Sequence, residues 1–145
     1  MIDGLTLTPL KIIDVPGGNV MHGIKCSAPG FVDFGEAYFS QTEYAAVKGW
    51  KRHNQMTLNV VVPVGAIRFV IYDDRDGSAT AGKFEEITLS LDNYQRLTIA
   101  PGLWVAFQGV DKNTSMLLNV ADIEHISDEA DRLDINEIQF DWEIR

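Results

Sequence analysis

The strongest constraint on the fold is the recurrence of short β-branched and aromatic runs, spaced about ten residues apart. They lie at residues 57–62, 66–72, 84–91, 95–99, 103–108 and 115–121. Gly, Pro, Asn and Asp separate them, as in Pro63–Gly65 and Ala100–Gly102. Short strands with such turns are typical of a sandwich or barrel. No intervening segment is long enough for the crossover that a parallel sheet needs, so we predict an antiparallel all-β fold.

The two ends of the chain are less regular. Residues 10–15 predict a strand that ends at Pro16, and residues 34–40 predict a strand near an edge. Residues 127–133 begin like a capping box, which favours one or two helical turns. No repeat, low-complexity tract or linker interrupts the 145 residues, so we expect one domain over residues 1–145.

The charge distribution narrows the class of partner. The formal net charge is −9, and residues 122–145 hold nine acidic residues but only two basic ones. An acidic surface repels nucleic-acid phosphates, so nucleic-acid binding is not expected. Cys26 is the only cysteine, which rules out a disulfide within the chain and suits a reducing compartment. Residues 1–6 lack a signal-peptide pattern and no apolar run could span a bilayer, so we expect a cytoplasmic protein.

One segment combines three cations, an imidazole and an indole just before the strand series. It is Val47–His53, with the sequence Val-Lys-Gly-Trp-Lys-Arg-His. Histidine titrates near neutral pH without perturbation, so His53 is the candidate base. If Lys51 and His53 lie on one strand, they face the same side, and the ammonium favours a neutral imidazole. The alternative is a solvated basic strand edge.

Five segments then follow one another in an order seen in a known family. They are Val47–Trp50, Ile71–Ser78, Leu89–Asn93, Ile99–Gly102 and Phe140–Trp142. In this order they resemble the dTDP-4-dehydrorhamnose 3,5-epimerase family, whose members are jelly-roll cupins that act on nucleotide sugars. That family carries an Arg-Gly-Leu-His-x-Gln stretch, a Val-Asp-Leu-Arg-x-Gly-Ser turn, a Leu-Ser-x-x-Asn turn and a Pro-x-Gly-x-x-His-Gly-Phe strand. The resemblance implies a jelly-roll cupin barrel with short helical turns near the C-terminus.

The resemblance also implies a catalytic set, which this sequence matches in part. The family's substrate-binding arginine falls at Lys48, and its general-base histidine falls at Lys51. The histidine of its Pro-x-Gly strand falls at Val105, and its acid-side tyrosine falls at Leu118. The carboxylate that orients the base falls near Asp134.

A related branch, the dTDP-sugar 3,4-ketoisomerases, carries Arg-Gly-x-His-Ala-His at the same place, and its second histidine matches His53. Both implied reactions remove a proton α to a ketone, which requires a base, a donor for the enolate oxygen and cations for the diphosphate. We predict His53 as base, Lys51 as enolate stabiliser (Tyr94 is the alternative) and Asp134 as orienting carboxylate. The substrate-binding candidates are Lys48, Trp50, Arg52, Arg75, Tyr94, Arg96 and Trp104. For Tyr94 and Trp104, core packing is the favoured alternative. Trp50 is the exception, because it lies inside the cation cluster.

The predicted function is therefore a metal-free epimerase or ketoisomerase acting on a dTDP-4-keto-6-deoxyhexose, in deoxysugar or polysaccharide biosynthesis. No metal or other cofactor is expected, because Lys51 and Val105 stand where metal-dependent cupins place histidines. The resemblance implies a homodimer that binds a small nucleotide sugar. The alternative is a non-catalytic cupin that binds a sugar nucleotide or another small anion. The departures at Lys51, Val105 and Leu118 favour that alternative.

Overall fold

In the computed structural model, which describes residues 1–145, nearly all regular structure is β-strand. The strands are β1 Leu5–Pro9, β2 Ile12–Ile13, β3 Val20–Met21, β4 Glu36–Thr42, β5 Val47–His53, β6 Leu58–Val64, β7 Ala66–Tyr72, β8 Phe84–Ser90, β9 Gln95–Ile99, β10 Trp104–Gly109, β11 Ser115–Ala121 and β12 Ala130–Arg132. The one helical element is a 3₁₀ turn, Ser127–Glu129. No helix has the length and apolar character needed to cross a bilayer. The predicted all-β class is confirmed.

Ten of the strands form two five-stranded antiparallel sheets. The first has the order β1-β9-β6-β11-β4 and the second the order β12-β5-β10-β7-β8, while β2 and β3 form a separate hairpin. Strands that are distant in sequence therefore lie side by side. The main core lies between the two sheets, and both contribute buried side chains, such as Val60 and Leu97 from the first and Ile67 and Phe69 from the second.

Strand β7 shows why the second sheet is buried on both faces. Successive side chains of a strand point to opposite faces, so Ile67, Phe69 and Ile71 enter the main core. Val70 and Tyr72 point to the outer face, where they join a second apolar cluster. Each fully buried Ile or Phe stabilises the fold by about 2 kcal/mol. The nearly continuous apolar run of this strand is the sequence signature of that double burial.

The outer face of the second sheet is covered by the C-terminal segment, which we define as residues 133–142. Its apolar side chains pack on the outer cluster built around Trp50, Val70, Trp104 and Ala106. The rings of Trp50 and Trp142 lie 5.8 Å apart, centroid to centroid. This segment makes the second sheet the middle layer between the main core and the end of the chain.

Most predicted strands of the central region agree with the structure. Residues 66–72, 95–99 and 115–121 coincide with β7, β9 and β11. Strand β6, however, continues through Pro63, where the sequence predicted its end. The pairing of β6 with β11 is irregular between Met116 and Leu118, so Pro63 lies at a bulge, where its missing N–H breaks no ladder bond.

At the N-terminus the predicted strand over residues 10–15 is largely wrong. Only Ile12–Ile13 is a strand, and it pairs with Val20–Met21 in an exposed hairpin. Strand β1, which the sequence pattern did not predict, pairs along its whole length with β9. Local pattern could not identify β1, because its five residues are held by a partner about ninety positions away.

The predicted helical turns near the C-terminus are shorter than expected. Helical geometry is confined to Ser127–Glu129, and Ala130–Arg132 is a strand paired with β5. The backbone N–H and C=O groups of Ala130–Arg132 need hydrogen-bond partners, and β5 supplies them in place of a further helical turn. Because a strand forms here instead of a helix, residues 129–134 lie beside the Val47–His53 segment.

Candidate functional site

A cavity of about 610 Å³ opens between the two sheets, beside the paired strands β5 and β10. Its lining combines cationic, acidic and apolar side chains from several elements. The residues are Tyr38, Lys48, Gly49, Trp50, Lys51, His53, Leu58, Val105, Phe107, Arg132, Leu133, Asp134 and Glu137. We call this cavity the barrel pocket.

A bulge in β5 brings its two lysines to the same wall of the barrel pocket. Lys51 pairs with Val105 of β10, and Lys48 pairs with Phe107. Two residues of β5 therefore face the single residue Ala106. In a regular strand, residues three apart point to opposite faces, but one extra residue restores the same face. Lys48 and Lys51 consequently line the pocket together.

Gly49 is the residue that makes the bulge sterically feasible. Its φ is +135°, in the region that side-chain-bearing residues rarely adopt. A Cβ at this position would lie 2.6 Å from the Cβ of Ala106 and 2.8 Å from the carbonyl oxygen of Val105. Only glycine lets β5 approach β10 this closely.

His53 forms a buried pair with Glu129. The Nδ1 of His53 lies 2.5 Å from Oε1 of Glu129, and the two residues are 6% and 5% exposed. The other carboxylate oxygen, Oε2, accepts the backbone N–H groups of Asn54, Gln55 and Met56 at 2.9, 2.8 and 3.1 Å. These bonds hold the carboxylate rigidly at the end of β5.

The environment of the pair sets both protonation states. Burial alone would raise the pKa of Glu129, but the hydrogen bonds from His53 and the backbone amides outweigh it and lower that pKa to about 2. Burial lowers the pKa of His53 below its usual value, although Glu129 opposes the shift. The imidazole is therefore neutral at pH 7, with Nδ1–H donated to Glu129. Its Nε2 has no protein partner and can accept a proton.

Two cations of the pocket form no salt bridge with the protein. Lys51 and Arg132 pair across β5 and β12 by backbone register, and neither side chain makes a hydrogen bond or a salt bridge. Burial, and then the charge of Arg132, lower the pKa of Lys51. Lys48, by contrast, donates to the backbone oxygen of Gln41 at 2.5 Å and to Oγ of Ser40 at 3.3 Å. Lys51 and Arg132 are thus available to an anionic or oxygen-rich ligand.

The expectation that Asp134 orients the base is corrected by this geometry. Asp134 lines the barrel pocket but makes no hydrogen bond to His53, and its own N–H donates to Oε2 of Glu137 at 2.6 Å. The reason is register: Ala130 pairs with His53, so the preceding residue, Glu129, is the carboxylate level with the imidazole. Asp134 lies beyond the other end of β12.

Trp50 borders the barrel pocket, but its indole points to the other side of the sheet. The ring is 1% exposed and packs in the outer cluster. Its Nε1–H donates to the carbonyl oxygens of Ile135 and Ile138 at 3.3 and 3.2 Å. The expectation that Trp50 binds substrate is therefore corrected: its indole packs in the outer cluster and binds the C-terminal segment.

Arg52 and Trp104 also lie on the outer face, not in the pocket. Arg52 pairs with Asp131 at 2.8 Å and with Asp74 at 3.4 Å, and its guanidinium lies 4.6 Å from the centre of the Trp104 ring. The indole N–H of Trp104 donates to Asp74 at 2.9 Å. Alternation along β5 explains the correction, because Arg52 lies between the two pocket-facing residues Lys51 and His53.

Arg75, predicted to bind phosphate, is already engaged by an acidic partner. Its Nε and Nη2 donate to the two oxygens of Asp73, both at 2.9 Å. Asp73 is fully buried and also accepts the hydroxyls of Ser78 and Thr80. The bonds from Arg75 hold the pKa of Asp73 far below its usual value. This turn fixes the connection between β7 and β8.

Tyr94 and Arg96 are corrected in the same way, since they line no wall of the barrel pocket. Tyr94 donates its hydroxyl to the carbonyl oxygen of His22 at 2.7 Å. Arg96 donates to the carbonyl oxygens of Gly23 and Pro29 and to the side chain of Asn59. Both residues hold residues 22–30 against the first sheet.

The sequence did not point to Tyr38 and Arg132, which line the barrel pocket, or to Glu129, which pairs with His53. Glu129 lay inside the predicted helical turns, and no sequence signal distinguished it from the other acidic residues of residues 122–145. Tyr38 lay in a predicted strand without a motif around it. No group of three or more His, Cys, Asp or Glu side chains is placed to hold a metal ion.

Comparisons with known proteins agree with this fold. A family model described as dTDP-4-dehydrorhamnose 3,5-epimerase matches residues 25–145. The dTDP sugar isomerase of Desulfovibrio desulfuricans G20 superposes with a TM-score of 0.93 at 39% identity, covering 97% of this chain and 92% of that one. The probable low-salt glycan biosynthesis epimerase Agl13 of Haloferax volcanii is 30% identical over 111 residues, 73% of this chain and 71% of its own.

A more distant structure confirms the fold alone. The 3′-monoepimerase ChmJ of Streptomyces bikiniensis, solved in complex with dTDP-quinovose, superposes with a TM-score of 0.83 at 17% identity. That match covers 92% of this chain and 71% of ChmJ. Together with the close match to the Desulfovibrio protein, it confirms the predicted jelly-roll cupin barrel.

Proposed function

Because this chain belongs to the dTDP-4-dehydrorhamnose 3,5-epimerase family, we propose that it epimerises a dTDP-linked 4-keto-6-deoxyhexose. The chain is an epimerase-like protein of the isomerase class, in deoxysugar or glycan biosynthesis. The observation that carries the proposal is the His53–Glu129 pair, which presents a free imidazole nitrogen in a pocket with two unpaired cations. Structural neighbours that bind dTDP sugars support the substrate class.

In the proposed reaction His53 is the general base. Its Nε2 removes the proton from the carbon next to the ketone, and the C–H electron pair moves into the enolate. Glu129 keeps Nδ1 protonated and stabilises the imidazolium that forms. A neutral histidine is required for this step, and burial of the imidazole favours that state.

The cations of the pocket have separate tasks. The ammonium of Lys51 lies on the same face of β5 as His53 and would stabilise the enolate oxygen. Arg132 would hold the anionic diphosphate, and Lys48, whose present acceptors on Ser40 and Gln41 are uncharged, would exchange them for the phosphate. Arg75 and Arg96 take no part, because their guanidinium groups already bind other residues. These steps need no metal.

The proposal is tested by hydrogen exchange. The protein is incubated with dTDP-4-keto-6-deoxyglucose in deuterated water, and the C3 and C5 protons are followed by NMR. We expect exchange by the wild-type protein and an approximately 100-fold or greater loss in His53→Ala, with dTDP binding retained. His22→Ala, which removes an imidazole outside the barrel pocket, is the matched control and should exchange normally.

Two results would contradict the proposal. Saturable dTDP binding without exchange in the wild-type protein would leave the non-catalytic sugar-nucleotide cupin as the better reading. Exchange that survives His53→Ala would mean that another group is the base.

The homodimer stays a prediction. Its support is the row of exposed apolar side chains on the β2–β3 hairpin: Ile12, Ile13, Val20 and Met21. The cytoplasmic location and the single domain over residues 1–145 also stay predictions.

A further inference from the structure

Tyr38 reaches the barrel pocket from the sheet that does not carry His53. It lies on β4, the edge strand of the first sheet, whereas His53 lies on β5 of the second. Both residues line the same cavity. A ligand between the two sheets therefore meets the imidazole on one side and the phenol on another.

The hydrogen bonds around Tyr38 leave its hydroxyl proton unused. Asn119, 2% exposed, accepts the backbone N–H of Asn59 with its Oδ1 at 3.2 Å. Arg96 and Thr98 donate to the side-chain oxygen of Asn59. That oxygen is therefore already bound by two donors within the protein.

With Oδ1 of Asn119 occupied, its Nδ2 faces the Tyr38 hydroxyl at 3.1 Å. An amide nitrogen only donates, so Oη of Tyr38 is the acceptor in this bond. The phenolic hydrogen has no protein acceptor and can be given to a ligand.

We propose that Tyr38 is the proton donor of the reaction, acting on the face of the enolate opposite His53; this rests on the proposed function. Nε2 of His53 takes the proton from one face of the carbon. The O–H bond of Tyr38 then breaks, its proton goes to the opposite face, and the enolate electron pair forms the new C–H bond as the ketone returns. Water reprotonates the phenolate, and the imidazolium of His53 loses its proton to water.

The family's acid-side tyrosine falls at Leu118 in this chain, and the assignment of Tyr38 as donor explains how the chain can lack a phenol there. Leu118 is not among the residues that line the pocket. It pairs with Phe39 on β4, next to the pair formed by Asn119 and Tyr38. The phenol is thus supplied by the neighbouring strand.

A proton donor on the face of the sugar opposite the base distinguishes epimerisation from ketoisomerisation. Inversion at a carbon requires that the proton leave one face and return to the other. Moving a ketone along the sugar can be done by one base on one face. The placement of Tyr38 therefore points to epimerisation rather than ketoisomerisation.

The test separates proton removal from inversion in Tyr38→Phe. In deuterated water with dTDP-4-keto-6-deoxyglucose, we expect this variant to keep deuterium uptake within about threefold of wild type, because His53 is intact. Inverted product should fall by about 100-fold or more. dTDP binding, followed by calorimetry, should be unchanged. Tyr44→Phe, which removes an exposed phenol outside the pocket, should behave as wild type.

The outcomes distinguish this inference from the proposed function. Normal inversion by Tyr38→Phe, with wild-type exchange intact, would overturn the inference alone. Equal loss of uptake, inversion and dTDP binding would assign Tyr38 a structural role and also overturn it. Absence of exchange in the wild-type protein would overturn the proposed function, and the inference with it.

Discussion

At the scale of single residues, the site depends on which carboxylate meets the imidazole. Glu129 accepts four hydrogen bonds, three from consecutive backbone amides at the end of β5 and one from His53. A carboxylate held this way fixes both the tautomer and the orientation of the ring. The protonation state and the orientation of the His53 ring are therefore fixed before a ligand binds.

The first residue-scale prediction concerns Glu129→Gln. Glu129 raises the pKa of His53 against the effect of burial, so its removal should move the acid limb of the kcat/KM profile to lower pH. The value of kcat/KM itself should fall by about 100-fold or more, because Nδ1–H loses its anionic acceptor. Rate profiles between pH 5 and 9 would measure both effects. Asp128→Asn, at the exposed neighbouring residue, is the control, and an unshifted acid limb would contradict the prediction.

Glu129→Gln should also change how the free energy of unfolding depends on pH. The pKa of Glu129 is about 2 in the folded protein against an ordinary 4.5, so its ionised form stabilises the fold fully above pH 4.5. That contribution is lost as the pH falls towards 2. The difference in unfolding free energy between wild type and Glu129→Gln should therefore shrink with acidification.

At the scale of elements, the bulge in β5 is the feature that assembles the cationic wall. Without it, Lys48 and Lys51 would point to opposite sides of the second sheet. The bulge depends on the close approach of Gly49 to Ala106, and therefore on the absence of a side chain at one position.

The element-scale prediction compares two glycines. Gly49→Ala should cost about 2–3 kcal/mol in unfolding free energy, because the new methyl group overlaps β10, and should weaken dTDP binding. Gly77→Ala is the matched control: its φ is also positive, at +75°, but a Cβ there meets nothing within 4 Å. It should cost only about 1 kcal/mol and leave binding unchanged. Urea unfolding would measure both variants, and equal costs would contradict the steric explanation.

At the scale of the whole molecule, the C-terminal segment connects stability to the pocket. Its inner part supplies Leu133, Asp134 and Glu137 to the pocket lining. Its outer part packs aromatic rings on the second sheet, where Arg68 lies 5.7 Å from the Trp142 ring centre. The sheet that carries His53 is therefore held from both sides.

The whole-molecule prediction removes the main aromatic contact of that segment. Trp142→Ala should cost about 2 kcal/mol, less than a fully buried tryptophan, because Trp142 is only partly buried. It should also weaken dTDP binding, since the segment borders the pocket. Ile126→Ala, at a residue that is 56% exposed, should change stability by less than about 0.5 kcal/mol. Unchanged stability in Trp142→Ala would show that the segment does not support the sheet.

The sequence by itself determined the strand series, the all-β class and the position of the lysine- and histidine-rich segment. These properties are local, because the two-residue period of a strand and the turns between strands are written in neighbouring residues. The expectation that Lys51 and His53 share a face rested on the same period, and both line the barrel pocket.

Only the tertiary structure decided which groups meet. Glu129 faces His53 from 76 residues away, and Tyr38 meets Asn119 from 81 residues away. Arg75 and Arg96 look like free cations in the sequence, but Asp73 and backbone carbonyl groups occupy them. The physical reason is that strand order and register set these partners, and both are fixed by packing two whole sheets together rather than by local pattern.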